Sequence, residues 1–407
     1  MTPALTDLPG RRHAEAPRAP GLRFDTVATS RPSAERPPHG VPLFVGFGVS
    51  RREAGRRVRA ALEVDSIEQF EACMSPPDGS YLGAAVKGFF ANGGGLCAVL
   101  PVPASLGAAG LRQVFAEGGA ADHAEGVDLV CVPDAVSALA DAVSTLSDTQ
   151  AAMLAHCERH GGRLALLDAA QSPDGPGHDT LRAQAARHRS PYGALYAPWL
   201  HVGVQAGDGR PWPVLSAAVP PCGHVAGVMA RTDARIGVFK APANESLDGA
   251  LAAEWDLSDA EHAALNDAGA NCIRSAHGRG LRVWGARTLS GHGDWRYVPV
   301  ARVFLALNRW LRQHMDEVVF EAHTPDLWQR VERRVGAYCM DLLGAGALAG
   351  SDPSRAFYVK CDAELNPLAS RDAGRLVAEV GLAIAVPAEF VVVRIVHQDG
   401  GMVLTPA

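Results

Sequence analysis

Three side chains sit where hydrolytic chemistry would want them. Asp168 closes the apolar run Leu164-Ala165-Leu166-Leu167, at the carboxyl end of an expected parallel strand, where open sheets place their ligands. His224 opens a downstream helix, and Ser290 is a possible nucleophile; together they would supply acid, base and attacking hydroxyl. The surroundings argue against it. The chain has no Gly-x-Ser-x-Gly elbow, and an Asp after a strand is a common turn residue. His156 and His160 lie four apart on one helix face, a spacing that suits a metal, but no adjacent glutamate and no third ligand accompany them. A helix end whose His favour the dipole accounts for them more simply. Gly46-Phe47-Gly48 lacks the third glycine of a dinucleotide loop, since position 51 is Arg, and there is no Gly-Lys-Ser/Thr loop. Asn92-Gly93-Gly94-Gly95 has the makings of an anion nest, although a turn needing positive φ explains it as well. No cofactor and no metal are expected.

The densest cluster of reactive and aromatic types is the stretch Val283–Arg302, with Trp284, Arg287, His292, Asp294, Trp295, Arg296 and Tyr297. No acid–base pair or metal set accompanies it. Its arginines alternate with Val283, Ala286 and Leu289, and Trp with Arg is the pairing that anchors interfaces. The stretch reads as a binding surface more readily than as a catalytic pocket.

These residues must be held by a sizeable chain. With 407 residues it has length for two or three domains. Hydrophobic residues make 47% and charged residues 20%, which is globular and slightly poor in charge, as suits a surface covered by partners. A net charge of −6 gives no global attraction to nucleic acid or anionic membrane. The eight Cys are scattered without a CxxC, a pattern of reduced, buried thiols and of cytoplasmic synthesis. No signal peptide is evident, and the long apolar stretch Val377–Val396 is interrupted by Glu379, Pro387, Glu389 and Arg394, so no membrane insertion is expected.

Prolines from Pro3 to Pro38 forbid a continuous helix or central strand in residues 1–40. Within them Leu22–Val27 has the alternation of a strand but no neighbour to pair with. Strands are expected at Val41–Val45, Leu96–Val102, Val127–Val132, Leu164–Leu167 and Gly193–Trp199, and helices at Ser66–Cys73, Tyr81–Phe90, Ser147–His160 and His224–Arg231. Apolar strands alternating with helices imply a parallel sheet covered on both faces. Beyond Asn271 two amphipathic helices follow. The first has the stripe Val300, Phe304, Leu307, Leu311 and Met315, with Arg302, Arg309 and Gln313 opposite. The second is capped at Thr324-Pro325 and ended by Gly344, with the stripe Leu327, Val331, Val335, Tyr338 and Leu342, and with Gln329, Arg333 and Met340 opposite. A strand at Glu389–His397, apolar on both faces, closes the chain.

Several of these pieces, in order, resemble the contractile tail sheath proteins of phage tails, tailocins and extracellular contractile injection systems. They are Pro20–Asp25, Phe44–Phe47, Phe89–Cys97, Gln150–Asp168, Tyr196–Trp199, Pro220–Gly227, Lys240–Glu245, Val283–Arg302 and Cys361–Pro367, spanning about residues 20–400. The resemblance implies an α/β fold: a subtilisin-like parallel-sheet middle domain without a triad, an α+β C-terminal sheath domain, and extended N- and C-terminal arms. The expected divisions are an arm and linker at 1–40, the first part of the core at 41–110, the subtilisin-like domain at 111–270, a tube-facing domain at 271–388 and an arm strand at 389–407.

The resemblance further implies a structural subunit that stacks in six-fold rings around an inner tube. It would meet baseplate and terminal cap proteins, and contract without nucleotide to drive the tube through an envelope. Leu22, Phe24 and Val27 in one arm and Phe390, Val392 and Arg394 in the other would pair with neighbouring subunits by strand addition. Arg302, Arg309, Gln329, Arg333 and Met340 would face the tube or another subunit, and Trp284, Arg287, Trp295 and Arg296 would form a scaffold signature. The alternative is a cytosolic α/β hydrolase-like enzyme built on Asp168 and His224.

Overall fold

The computed structural model describes residues 38–51, 60–137, 142–171, 177–204, 215–315, 318, 320–389, 393–398 and 401–406. Its centre is a nine-stranded sheet. From edge to edge the strands are Glu245–Ser246, Gly280–Trp284, Ala270–Ala276, Gly193–Ala197, Leu164–Asp168, Leu129–Cys131, Pro42–Phe47, Cys97–Val102 and Leu62–Val64. The six from Ala270–Ala276 to Cys97–Val102 are mutually parallel, and antiparallel strands close both edges. The expected alternation of strand and helix is therefore present.

Side chains alternate across this sheet, and both faces are buried. Leu43, Val45, Phe47, Leu100, Leu167 and Leu195 join one core with Leu111, Phe115 and Leu154 from covering helices. Phe44, Val99, Leu164, Leu166 and Tyr196 join the other with Phe89, Val225, Met229 and Leu305. That is why the strands read as continuous apolar runs rather than as alternating ones.

On the second face the helices Leu82–Ala91 and Cys222–Arg235 lie nearly in backbone contact. A Cβ on Gly223 would fall 2.2 Å from the Ala85 carbonyl oxygen, and one on Gly227 would fall 2.4 Å from that of Phe89. The small residues of that segment are a packing requirement.

Several boundaries differ from expectation. The helix ending at His160 begins at Ala142, so Ser147 lies within it rather than capping it. The sheet continues across residue 270, because Ala270–Ala276 pairs with Gly193–Ala197. Pro42–Phe47 lies between Leu129–Cys131 and Cys97–Val102, so the segment 41–110 shares one sheet with 111–270. Asp259–Asp267, a short helix with a Ser258/Glu261 capping box, was not anticipated.

Beyond the sheet, Val298–His314 and Pro325–Gly344 pack through Trp310 stacked on Tyr338, with centroids 4.6 Å apart. A two-stranded sheet, Phe357–Lys360 with Glu379–Leu382, follows. The closing strand runs over Val393–Gln398 and is not alone: it pairs with Gly401–Pro406 in a hairpin that the sequence reading had not anticipated. No helix among the described residues is long and apolar enough to cross a membrane.

Candidate functional site

The hydrolase candidates are not brought together. Asp168 is buried at the end of its strand, and its Oδ1 accepts from the Cys222 backbone N–H at 2.8 Å. It caps the Cys222–Arg235 helix, and burial pushes its carboxyl up to about 7. His224 is buried on that helix, with its ring where a Cβ on Gly88 would fall 2.4 Å from Nδ1, and burial lowers it to about 4. Ser290 lies in the loop before Val298–His314, and its hydroxyl donates to the His292 carbonyl at 3.4 Å. Side chains tie off the backbone at the strand end. Gln150 Nε2 and Gln184 Nε2 both donate to the Asp168 carbonyl, at 2.8 and 3.0 Å, and Trp199 Nε1 donates to Ala169 at 2.8 Å. Where a parallel sheet ordinarily opens to a ligand, a cavity of only about 130 Å³ lies beside Gln150, Ala170 and Gln184, and neither Asp168 nor His224 lines it.

The histidine pair also turns inward. His156 lies between Arg163 Nη1 at 2.8 Å and Asp122 at 3.1 Å, and is fully buried. Burial and then Arg163 lower both His156 and His160 to about 4. A neutral His156 accepting from a buried arginine is a structural partner rather than a free ligand.

The Trp/Arg stretch divides into parts with different roles. Trp295 packs on Phe304 at 4.8 Å, Trp284 is half-buried and Arg296 is exposed. Phe304, Leu307 and Leu311 line a surface groove of about 440 Å³ with Trp295, Tyr192 and Pro191. The arginines of the helix face that seemed polar are buried, as are Val300 and Leu307 of the apolar stripe, while Gln313 is exposed. Arg302 is 3% exposed and joins Asp128 at 2.8 Å and Asp233 at 2.5 and 2.9 Å. Arg309 approaches the same Asp128 at 3.3 Å and also donates to the Pro38 carbonyl at 3.3 Å and to His39 Nδ1 at 2.5 Å. The expectation that Arg302 and Arg309 face outward is thus corrected: both are internal. Charged groups this deep are stable only when paired, and here they are paired.

Arg287 is likewise buried. Its Nε and Nη2 grip Glu389 at 2.9 and 2.6 Å, and its Nη1 reaches the Asn266 carbonyl at 2.8 Å and Asp267 at 3.3 Å. The Glu389 bond, outweighing burial, raises the guanidinium's pKa. Asn271 holds the backbone of Arg287 on both sides, at 2.7 Å each. The acids Asp128, Asp233 and Glu389 escaped the sequence reading. The available signal was Arg302 and Arg309, seven residues apart and so on one face, and Asp128 opening an apolar strand.

Gln329, Arg333 and Met340 lie exposed on Pro325–Gly344, opposite its buried stripe. Leu22, Phe24, Val27, Phe390 and Val392 fall outside the described residues. Arg394 lies on the closing hairpin, opposite Thr405.

Two family profiles match the chain: the phage tail sheath protein central domain over residues 118–289, and the phage tail sheath C-terminal domain over 292–398. The chain belongs to the phage tail sheath family. The junction of the two sheath domains falls inside the Trp/Arg stretch, between Leu289 and His292. A putative prophage major tail sheath protein of Pseudomonas aeruginosa is 26% identical over 180 residues, 42% of this chain and 44% of that relative.

Solved sheath structures match over nearly the whole chain. The helical sheath of the anti-feeding prophage in its contracted state is 27% identical with a TM-score of 0.73, covering 93% of this chain and 99% of that one. The contracted sheath complex of the PVC extracellular contractile injection system is 25% identical with a TM-score of 0.72, over 95% and 99%. A sheath tail protein of Listeria innocua, 10% identical with a TM-score of 0.55, shares the fold.

Proposed function

We propose that the chain is the structural subunit of a contractile sheath, polymerising around an inner tube and contracting to drive it through a target envelope. The observation that carries this is the likeness to the contracted sheaths of the anti-feeding prophage and of the PVC extracellular contractile injection system, over 93% and 95% of this chain. The separate engagement of Asp168, His224 and Ser290 supports a body that works mechanically and catalyses nothing, and the nine-stranded sheet is its subtilisin-like domain in fold only. Six subunits form a ring, and head-to-tail contacts that do not close propagate the rings into a helical tube. Energy stored at assembly is released when new intersubunit contacts form. Synthesis is cytoplasmic, and the baseplate and a terminal cap bound the polymer.

Residues 1–40 and 389–407 are the arms. Leu22, Phe24 and Val27, and Phe390, Val392 and Arg394, belong to strands that join neighbouring subunits, because an unpaired strand edge recruits another chain. Gln329, Arg333 and Met340 face the tube; their exposure on one side of a helix whose other side is core supports this placement. Trp284, Arg287, Trp295 and Arg296 are scaffold. The test is co-expression with the inner tube protein of the same system, followed by electron microscopy. Long striated tubes are expected, and discrete particles at all concentrations would refute the reading. Arg333→Glu should weaken co-assembly most at low salt, where a surface charge contact counts most. Unchanged tube yield across a salt series would remove this helix from the tube contact.

A further inference from the structure

We propose that Arg287 and Arg309 are positioning residues that fix where the two ends of the chain leave the body. This rests on the sheath reading, and it assigns to two buried arginines the geometry of the links between subunits. They lie within one segment, and each reaches across the fold to a chain end. Arg309 holds Pro38 and His39 just before the first strand, while Val41 N donates to Asp128 at 2.7 Å directly behind them. Arg287 holds Glu389, four positions before the closing hairpin, by a two-pronged contact.

The C-terminal clamp is the more exposed to test. Backbone bonds tie the chain to the body as far as Ala385, whose N–H donates to the Ala347 carbonyl at 3.0 Å. Val386 is then 63% exposed, and Ala388 is exposed. The Glu389 carboxylate is the last described tie before Val393, where the hairpin begins. Arg287 is itself immobilised by Asn271 and by its bridge to Tyr297, so it presents a fixed fork rather than a swinging charge.

The consequence is worked from chain length. With the clamp, Val393 is four positions beyond the last described tie; without it the last described tie is Ala385 and Val393 is eight positions beyond. Effective concentration of a tethered element falls roughly as the −3/2 power of tether length, so doubling the span lowers it about threefold. An arm that must find a neighbour on every subunit carries that loss at each junction.

Glu389→Ala tests it, because Glu389 belongs to neither hydrophobic core and its loss leaves both intact. In unassembled protein, hydrogen exchange should rise about tenfold in the peptide covering 383–389 and nowhere in the sheet, as for loss of one charge-assisted tie. In the presence of tube protein, the concentration needed for tubes should rise about threefold. Glu389→Gln, which keeps one acceptor for Arg287, should fall between. Wild-type exchange at 383–389, or exchange raised throughout the sheet, overturns the clamp, as does assembly at the wild-type concentration. If the wild-type chain forms no tubes at all, the sheath reading fails, and the exchange measurement still judges the clamp.

Discussion

Arg302→Ala is the sharpest perturbation the fold offers. It deletes the cation shared by Asp128 and Asp233, whose side chains are 5% and 3% exposed. Removing one member of a buried pair leaves uncompensated charge and costs about 3–5 kcal/mol. For 407 residues melting together, an unfolding entropy near 2.1 cal/mol/K per residue converts this to a fall in Tm of roughly 4–6 °C. The loss should depend on pH. Burial already raises the Asp233 pKa, and Arg302 opposes that rise. Without Arg302 the native carboxyl binds its proton more tightly still, while the unfolded one keeps its ordinary pKa near 4. Between those two values the native state holds more protons than the unfolded, so stability increases as pH falls. The gap between wild type and variant should therefore narrow from pH 7 toward pH 5. Because the cluster is buried, 0.5 M salt should leave the gap nearly unchanged. The assay is thermal unfolding of unassembled protein across pH. A gap below about 1 °C, or one that stays constant with pH, would refute the idea that Arg302 neutralises buried acid.

Gly223→Ala should cost about 1–3 kcal/mol or abolish soluble expression, because the new methyl meets the Ala85 carbonyl oxygen at 2.2 Å; soluble yield and Tm report it. Asp168→Asn keeps an acceptor for the Cys222 N–H and should leave sheath assembly intact. With the folded carboxyl raised to about 7 and the unfolded one near 4, wild type loses stability as pH rises between those values. The Asn variant should therefore show a flatter stability profile between about pH 4 and 7, and loss of a hydrolytic activity in it would revive the enzyme reading.

Most of the sheet was legible because its strands are apolar on both faces, and that pattern has few other homes. Pro42–Phe47, Cys97–Val102 and Leu164–Asp168 lie within a residue or two of where their runs predict. What could not be read was which side of an amphipathic helix is covered. Val298–His314 has an apolar stripe and an arginine stripe, and periodicity assigns the arginines to solvent. The fold buries the arginines, because Asp128 and Asp233 wait beneath them from 174 and 69 residues away. Phe304 and Leu311 are left on a groove instead. Pro325–Gly344 obeyed the simple rule, since its polar face has no such acids under it. Strand pairing was the other blind spot. Antiparallel partners such as Gly401–Pro406 carry no long apolar run, and pairing is a property of two segments rather than of one.

Asp128 shows why such a body would keep charge inside when apolar packing of the same volume is often the more stable choice. Its Oδ1 takes the Val41 N–H and its Oδ2 takes Arg302, with Arg309 close by. One carboxylate thus joins the entry of the first strand, the start of the central strand Leu129–Cys131 and the helix of the C-terminal domain. Apolar contacts are non-directional and tolerate sliding, whereas a guanidinium fork meets a carboxylate in one geometry. On the proposed sheath reading, in which a subunit would be pulled through its ends as it rotates, junctions must hold an angle as well as a distance. By this argument Asp128→Asn, which can keep the Val41 bond but gives up the charge, should weaken the angular definition of the N-terminal root before it weakens the sheet.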